Sequence, residues 1–147
     1  MIEFDDKPVF GQRVPGASYV WRPSAYAVIK NGLDQVAIVR TAQGVFLPGG
    51  GIEMDETPEQ AVLREVREEC GLEIRLLSRL RDVVQLVYSQ AELTYFEKAS
   101  TFFAAVVKEH KSGPGERDHE VLWVVTSEAT SLVSHESHRW ALSSFAS

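Results

Sequence analysis

Three glutamates are crowded into the second half of one short stretch of this chain, LPGGGIEMDETPEQAVLREVREECGL, which runs from Leu47 to Leu72. An α-helix advances about 100° per residue, so Glu65, Glu68 and Glu69 would share one face of a helix. Like charges at these spacings repel, so we expect a cation among them. Carboxylate oxygens with open coordination positions suit Mg²⁺ or Mn²⁺. A solvated, charged helix face is the alternative.

Local signals predict the helix that would carry these carboxylates. Thr57 is a good N-cap, Pro58 suits the first helical position, and Gln60 completes a capping box. Gly71 supplies a left-handed stop, so the helix should run from about Pro58 to Cys70. Its apolar face has helical spacing and consists of Val62, Leu63, Val66 and Cys70.

The residues before the helix predict a sharp turn. Pro48-Gly49-Gly50-Gly51 should break regular structure, because glycine can take positive φ. Arg64 is placed to pair with Glu68 one turn on, or to reach back to Glu56 and tie the loop to the helix. Glu59 is expected to be an ordinary first-turn acid facing the helix dipole.

Together these residues spell a known signature. Gly50 is followed after five residues by Glu56, and after seven more by Arg64-Glu65-Val66-Arg67-Glu68-Glu69-Cys70-Gly71-Leu72. The stretch from 50 to 72 resembles the Nudix box at every specified position. The resemblance implies an α/β/α sandwich around a mixed, mostly antiparallel curved sheet, with the box as a loop-helix-loop. It also implies Mg²⁺- or Mn²⁺-dependent hydrolysis of a pyrophosphate bond in a nucleoside diphosphate linked to another moiety.

The same resemblance implies roles for single residues. Glu65, Glu68 and Glu69 would bind the metal, and Gly50 could add its backbone carbonyl. Glu56 and Arg64 would mainly brace the loop.

A carboxylate must also accept the proton of the attacking water. Glu68 is the candidate within the box. Glu116 and Glu120, before Trp123, are candidates outside it for the base or an extra ligand. Ordinary surface acids are the alternative for both.

Substrate contacts are expected outside the box. Tyr88 lies 16 residues beyond the end of the box at Leu72, a spacing similar to that of a tyrosine in Nudix dinucleoside polyphosphate hydrolases. Arg22 and Arg40 are candidates to grip phosphate, with solvated surface charge as the alternative. His135 and His138 resemble half of a metal site but lack a third partner, so a polar helix face is favoured.

The rest of the chain predicts a single domain over residues 1–147, with residues 1–16 as an irregular arm that holds at most one edge strand. A hairpin connection is expected at 89–92. Strands are expected in Ser18–Lys30, Gln35–Arg40, Gly44–Leu47, Glu73–Tyr88, Leu93–Lys108 and Glu120–Val125, and helices from Thr126 and Ser134.

Composition excludes several classes of protein. A formal charge of −6 argues against general nucleic-acid binding. No apolar run is long enough for a membrane helix, and the acidic N-terminus does not read as an export signal, so the cytoplasm is the expected location. A single cysteine excludes an internal disulfide. We expect a small nucleotide-like substrate, with a homodimer as one candidate assembly. Rival interpretations are a catalytically silent nucleotide-binding module and a structural metal-binding domain.

Overall fold

One mixed β-sheet carries half of the residues that the computed structural model describes, which are 7–80, 82–110 and 119–145. Its longest pairing joins β2 and β8 in parallel, from Tyr19 opposite Tyr95 to Lys30 opposite Val106. In chain order the elements are β1 (Val9–Phe10), β2 (Tyr19–Lys30), β3 (Gln35–Thr41), β4 (Gly44–Phe46), β5 (Gly49–Gly51), α1 (Pro58–Cys70), β6 (Leu72–Arg79), β7 (Val83–Ser89), β8 (Thr94–His110), β9 (Glu120–Val125), α2 (Thr126–Leu132) and α3 (Glu136–Phe145).

The long strand β8 has two different antiparallel partners along its length. Its first half pairs with β7 and its second half with β6. The segment predicted as one strand from Glu73 to Tyr88 is therefore two strands. Register shifts between Glu73 and Ile74, and between Leu76 and Ser78, mark irregularities in the pairing of β6 with β8. The predicted hairpin between β7 and β8 is also present.

Alternating residues of β2 build two separate cores. Ala25 and Ala27 pack with Val62 and Val66 of α1. Val28 and its neighbours on the opposite face pack against α2 and α3. Because successive strand side chains point to opposite faces, one strand supports both layers. The predicted α/β/α sandwich is confirmed.

Helix α1 has the predicted bounds and the predicted caps. The Thr57 hydroxyl accepts from the Gln60 N–H at 3.1 Å, and the Gln60 side chain accepts from the Thr57 N–H at 2.9 Å. Gly71 ends the helix in the left-handed region at φ 66°. The pKa of the Cys70 thiol is raised to about 12, mainly by burial. The cysteine therefore behaves as a small apolar residue.

The glycine run differs from its prediction. Residues 49–51 form the short strand β5 on β2, with Gly49 opposite Tyr26 and Gly51 opposite Ser24. Gly49 does take a positive φ of 147°, and a Cβ there would lie 2.1 Å from the carbonyl oxygen of Ala25. At Gly49 the backbone of β5 therefore lies so close to β2 that only a residue without a side chain fits there.

Both helices predicted near the C-terminus are present. Helix α2 begins at Thr126 as predicted, whereas α3 begins at Glu136, two residues after Ser134. The Ser134 hydroxyl accepts from the Val45 N–H at 3.0 Å, which fastens the α3 layer to β4. Within the described ranges, no helix is long and apolar enough to cross a membrane.

Candidate active site

Arg64 stands at the centre of the acidic stretch. Its Nε and Nη2 donate to the two carboxylate oxygens of Glu56 at 2.7 and 2.9 Å. Its Nη1 lies 3.0 Å from Glu65 and 3.2 Å from Glu68, and Nη2 also donates to the Gly51 carbonyl at 3.1 Å. Arg64 therefore joins the loop, the β5 backbone and two of the predicted metal ligands.

The pair of Glu56 and Arg64 is ionised across the ordinary pH range. The hydrogen bonds from Arg64, helped by the Glu53 N–H, lower the pKa of Glu56 to about 2. The same hydrogen bond raises the pKa of the Arg64 guanidinium. A two-pronged, charge-assisted contact of this kind fixes orientation as well as charge. It is the contact expected of a loop brace.

The three candidate metal ligands differ in their surroundings. Glu69 is buried, with 8% of its surface exposed. One of its oxygens accepts from the Gly49 N–H at 3.0 Å, and the other lies 3.1 Å from Nδ1 of His119. Glu65 lies against Gly50, whose hypothetical Cβ would come within 2.8 Å of its carboxyl carbon. Glu68 is the open member, with 52% of its side chain exposed.

These donors suit a hard divalent cation. Glu65 and Gly50 lie so close that no side chain fits between them, and carboxylate and carbonyl oxygens are the ligands that Mg²⁺ and Mn²⁺ prefer. As the side chains stand, the described residues hold no group of three or more acidic, histidine or cysteine side chains arranged around one point. Arg64 supplies the positive charge between Glu65 and Glu68 in this arrangement.

Residues outside the box are more scattered. Glu120 pairs with Arg40 at 3.3 Å, and both side chains are more than half exposed. Glu116 lies outside the described residues. His119, which is not among the predicted site residues, lies 3.1 Å from Glu69 through its Nδ1. No local spacing signal marks it, because 50 positions separate the two residues along the chain.

Comparison with known proteins agrees with this geometry. A family model described as NUDIX domain matches residues 20–144. The chain belongs to the Nudix family.

Several relatives of this Nudix chain carry names for pyrophosphate chemistry. It is 32% identical over 107 residues to an 8-oxo-dGTP diphosphatase of Haemophilus influenzae, a match covering 68% of this chain and 73% of that protein. It is 44% identical over 54 residues to the 8-oxo-dGTP diphosphatase of Escherichia coli, covering 33% of this chain and only 42% of that protein. The family resemblance read from residues 50–72 is confirmed, and the matches place the chain among Nudix pyrophosphohydrolases.

Solved structures match the Nudix fold over nearly the whole chain. The MutT protein from Methanosarcina mazei Go1 gives a TM-score of 0.69 at 20% identity, covering 89% of this chain and 96% of that one. The Escherichia coli dihydroneopterin triphosphate pyrophosphohydrolase gives 0.62 at 21% identity, covering 86% and 97%. At such identities the likeness supports the fold.

A cleft of about 610 Å³ opens on the α3 side of the Nudix sheet. Among the predicted substrate residues, Tyr88 and Arg22 line it and Arg40 does not. Its walls are aromatic at three points and carry two cationic groups, one acid and one imidazole: Phe46, Tyr88, Phe96, Arg22, Lys98, Glu92 and His135.

Tyr26 lies beneath the glycines of β5. Its Cα would lie 2.6 Å from a Cβ placed on Gly49, and its ring packs against Phe102 and His138. Burial raises the pKa of Tyr26 to about 12, and the charges of Glu69 and Glu65 add to that rise.

The two C-terminal histidines do not form the predicted polar helix face. His138 is buried, and its Nδ1 accepts from the N–H of Leu47, two residues before β5, at 3.0 Å. Burial holds the pKa of His138 well below its usual range and lowers that of His135 to about 4. Both rings are therefore neutral at neutral pH, packed against Phe46.

Proposed function

We propose that this chain is a Mg²⁺- or Mn²⁺-dependent pyrophosphohydrolase of small nucleotides. Its substrate would be a nucleoside diphosphate linked to another moiety, with nucleoside triphosphates and dinucleoside polyphosphates the favoured classes. The observation that carries the proposal is the placement of Glu65 against Gly50, with Glu69 accepting a hydrogen bond from Gly49, so that two carboxylates of α1 meet the backbone of β5. Nudix hydrolases in general depend on divalent metals.

The residues divide the work of the reaction. Glu65, Glu68, Glu69 and Gly50 would hold the cation, which when bound neutralises phosphate oxygens and lowers the pKa of a water. Water adds to phosphorus as the anhydride P–O bond breaks, and the leaving phosphate keeps the bonding electrons. Arg64 and Glu56 keep the loop in register while this occurs.

The proton of the attacking water needs a carboxylate. Glu68 is the most exposed acid of the helix trio and is held by a single contact to Arg64. Glu120 is held by Arg40 and also faces solvent. We keep Glu68 as the first candidate for the base, with Glu120 and Glu116 as the candidates outside the helix.

One panel assay tests the proposal. The protein is incubated with Mg²⁺ or Mn²⁺ and with nucleoside triphosphates, dinucleoside polyphosphates, ADP-ribose and nucleotide sugars, and the products are separated by chromatography. Cleavage of a pyrophosphate bond in one class, lost in excess chelator, is the expected result. Tight nucleotide binding without turnover of any compound would instead favour the silent binding module.

The variant Glu69→Gln tests whether this carboxylate is needed for turnover. The amide oxygen can still accept from Gly49, so we expect a folded protein without turnover. Full activity in this variant would refute the helix as the metal site. Assembly as a homodimer and residence in the cytoplasm stay predictions.

A further inference from the structure

The cleft carries cationic groups in an unusual setting for a surface groove. Arg22 lies over the ring of Phe96 at 4.3 Å, and its nearest acid, Glu92, is 3.5 Å away and half exposed. Lys98 is mostly buried beside Arg22, and burial, with that neighbouring charge, lowers its pKa. Two cationic groups thus share one carboxylate at the rim. A ligand group rich in hydrogen-bond acceptors would be stabilised by both cations.

A second observation points to a missing ligand. Nε2 of His135 is buried and has no hydrogen-bond partner within the described part of the chain. Its ring packs against Phe46, with 5.1 Å between the ring centroids and the planes tilted by 59°, and borders the same cleft. Buried polar atoms in native proteins are nearly always paired, so this atom marks a place for a polar ligand group.

The walls favour a planar ring over a bare anion. Phe46 and the exposed ring of Tyr88 supply apolar and stacking surface, which a heterocycle can cover and a phosphate cannot. Arginine and lysine offer hydrogen-bond donors only. A carbonyl oxygen on the ring could accept hydrogen bonds from these donors. An amino group could not, because it is itself a donor.

We propose that this cleft binds the base of the nucleotide substrate and selects a keto-bearing ring, such as a 6-oxopurine, through Lys98 and Arg22. The inference rests on the proposed function in placing a nucleotide here, and it adds which base is preferred.

Binding of two nucleoside monophosphates tests this selection without any hydrolysis. Inosine and adenosine monophosphate differ chiefly at the 6-keto and 6-amino groups, and neither contains a pyrophosphate bond. Titration calorimetry in excess chelator should show inosine monophosphate binding about tenfold more tightly. Equal affinities, or no binding of either compound at millimolar concentration, would overturn the inference even if the enzyme hydrolyses triphosphates. A clear preference in a protein without turnover would keep the inference and reject the proposed function.

Paired variants assign the preference to residues. Lys98→Met and Arg22→Gln should each bring the two affinities close to parity. Arg13→Gln is the control for Arg22, because Arg13 also pairs with a glutamate, at 2.9 Å, and lies over a tyrosine ring, at 4.9 Å, but outside the cleft. Lys30→Met is the control for Lys98. Both control variants should keep the wild-type ratio of the affinities for inosine and adenosine monophosphate.

Inorganic phosphate is the remaining probe. It should compete only weakly with inosine monophosphate. If phosphate alone binds as tightly as the nucleotide and loses that affinity in Lys98→Met and Arg22→Gln, the cleft is an anion site and the base assignment is wrong. Thermal unfolding of each variant checks folding, and the comparison of the two nucleotides on the wild-type protein needs no variant.

Discussion

The acidic site and the cleft are assembled in different ways. Every side chain of the acidic site except His119 comes from residues 50–69, and Arg64 joins Glu56, Glu65 and Glu68. The cleft takes its lining from β2, β4, β7, β8, the hairpin and the residue before α3. Chemistry is thus held locally, whereas selectivity depends on strands that meet only after folding.

Loss of a proposed metal ligand should have the largest effect. Glu65→Gln should lower kcat by about a thousandfold with little change in melting temperature, because charge stabilisation of the phosphates is lost. The control is Glu59→Gln on the same helix, where the acid only faces Arg79 at 3.7 Å. Steady-state kinetics with Mg²⁺ measure both. Similar kcat values for the two variants would remove Glu65 from the active site.

Loss of the Arg64 contacts should have the second largest effect, and that effect should be on thermal stability. Arg64→Met leaves Glu56 and Glu65, both mostly shielded from solvent, without their shared cation. We expect a melting temperature lower by about 5–10 °C. Arg67→Met is the control, since Arg67 pairs with Glu73 at 2.7 Å but is half exposed and should matter little. Equal shifts in a thermal melt would argue against a bracing role.

Change in the cleft should affect binding rather than chemistry. Tyr88→Ala should raise KM about tenfold with kcat nearly constant, as expected for lost stacking. Tyr19→Ala is matched, because both rings pack on Tyr95, at 4.7 and 5.4 Å, and only Tyr88 lines the cleft. A fall in kcat with an unchanged KM would place Tyr88 in the chemical step.

The pH dependence of stability should give the smallest effect. The pKa of His135 is about 4 in the fold and 6.5 when unperturbed. The unfolded chain therefore binds more protons between these values, so this contribution to stability is complete above pH 6.5 and falls as pH drops towards 4. His135→Gln should shrink the loss of melting temperature between pH 7 and 4.5 by about 3 °C. Melts with unchanged pH dependence would show that His135 does not titrate this way.

Much of the acidic site could be predicted because its signals are local. Capping residues, a glycine stop and i, i+3, i+4 spacing act within a few residues, so the bounds of α1 and the reach of Arg64 to Glu56 agree with the structure. The prediction that the glycine run is an irregular break was wrong. The run pairs with β2, and the conformational preferences of the glycines alone do not indicate this partner. The prediction that His138 belongs to a polar helix face was wrong for a similar reason. Its partner, Leu47, is 91 positions away.

By itself, the sequence determined the family, the helix and the carboxylates that it presents, since each of these depends on neighbours along the chain. Only the tertiary structure decided that Arg22, Tyr88, Lys98 and His135 border one cleft while Arg40 turns to Glu120. The reason is physical. Strand pairing sets which distant side chains share a face, and β2 can place Arg22 beside Lys98 only because it runs parallel to β8 in this register.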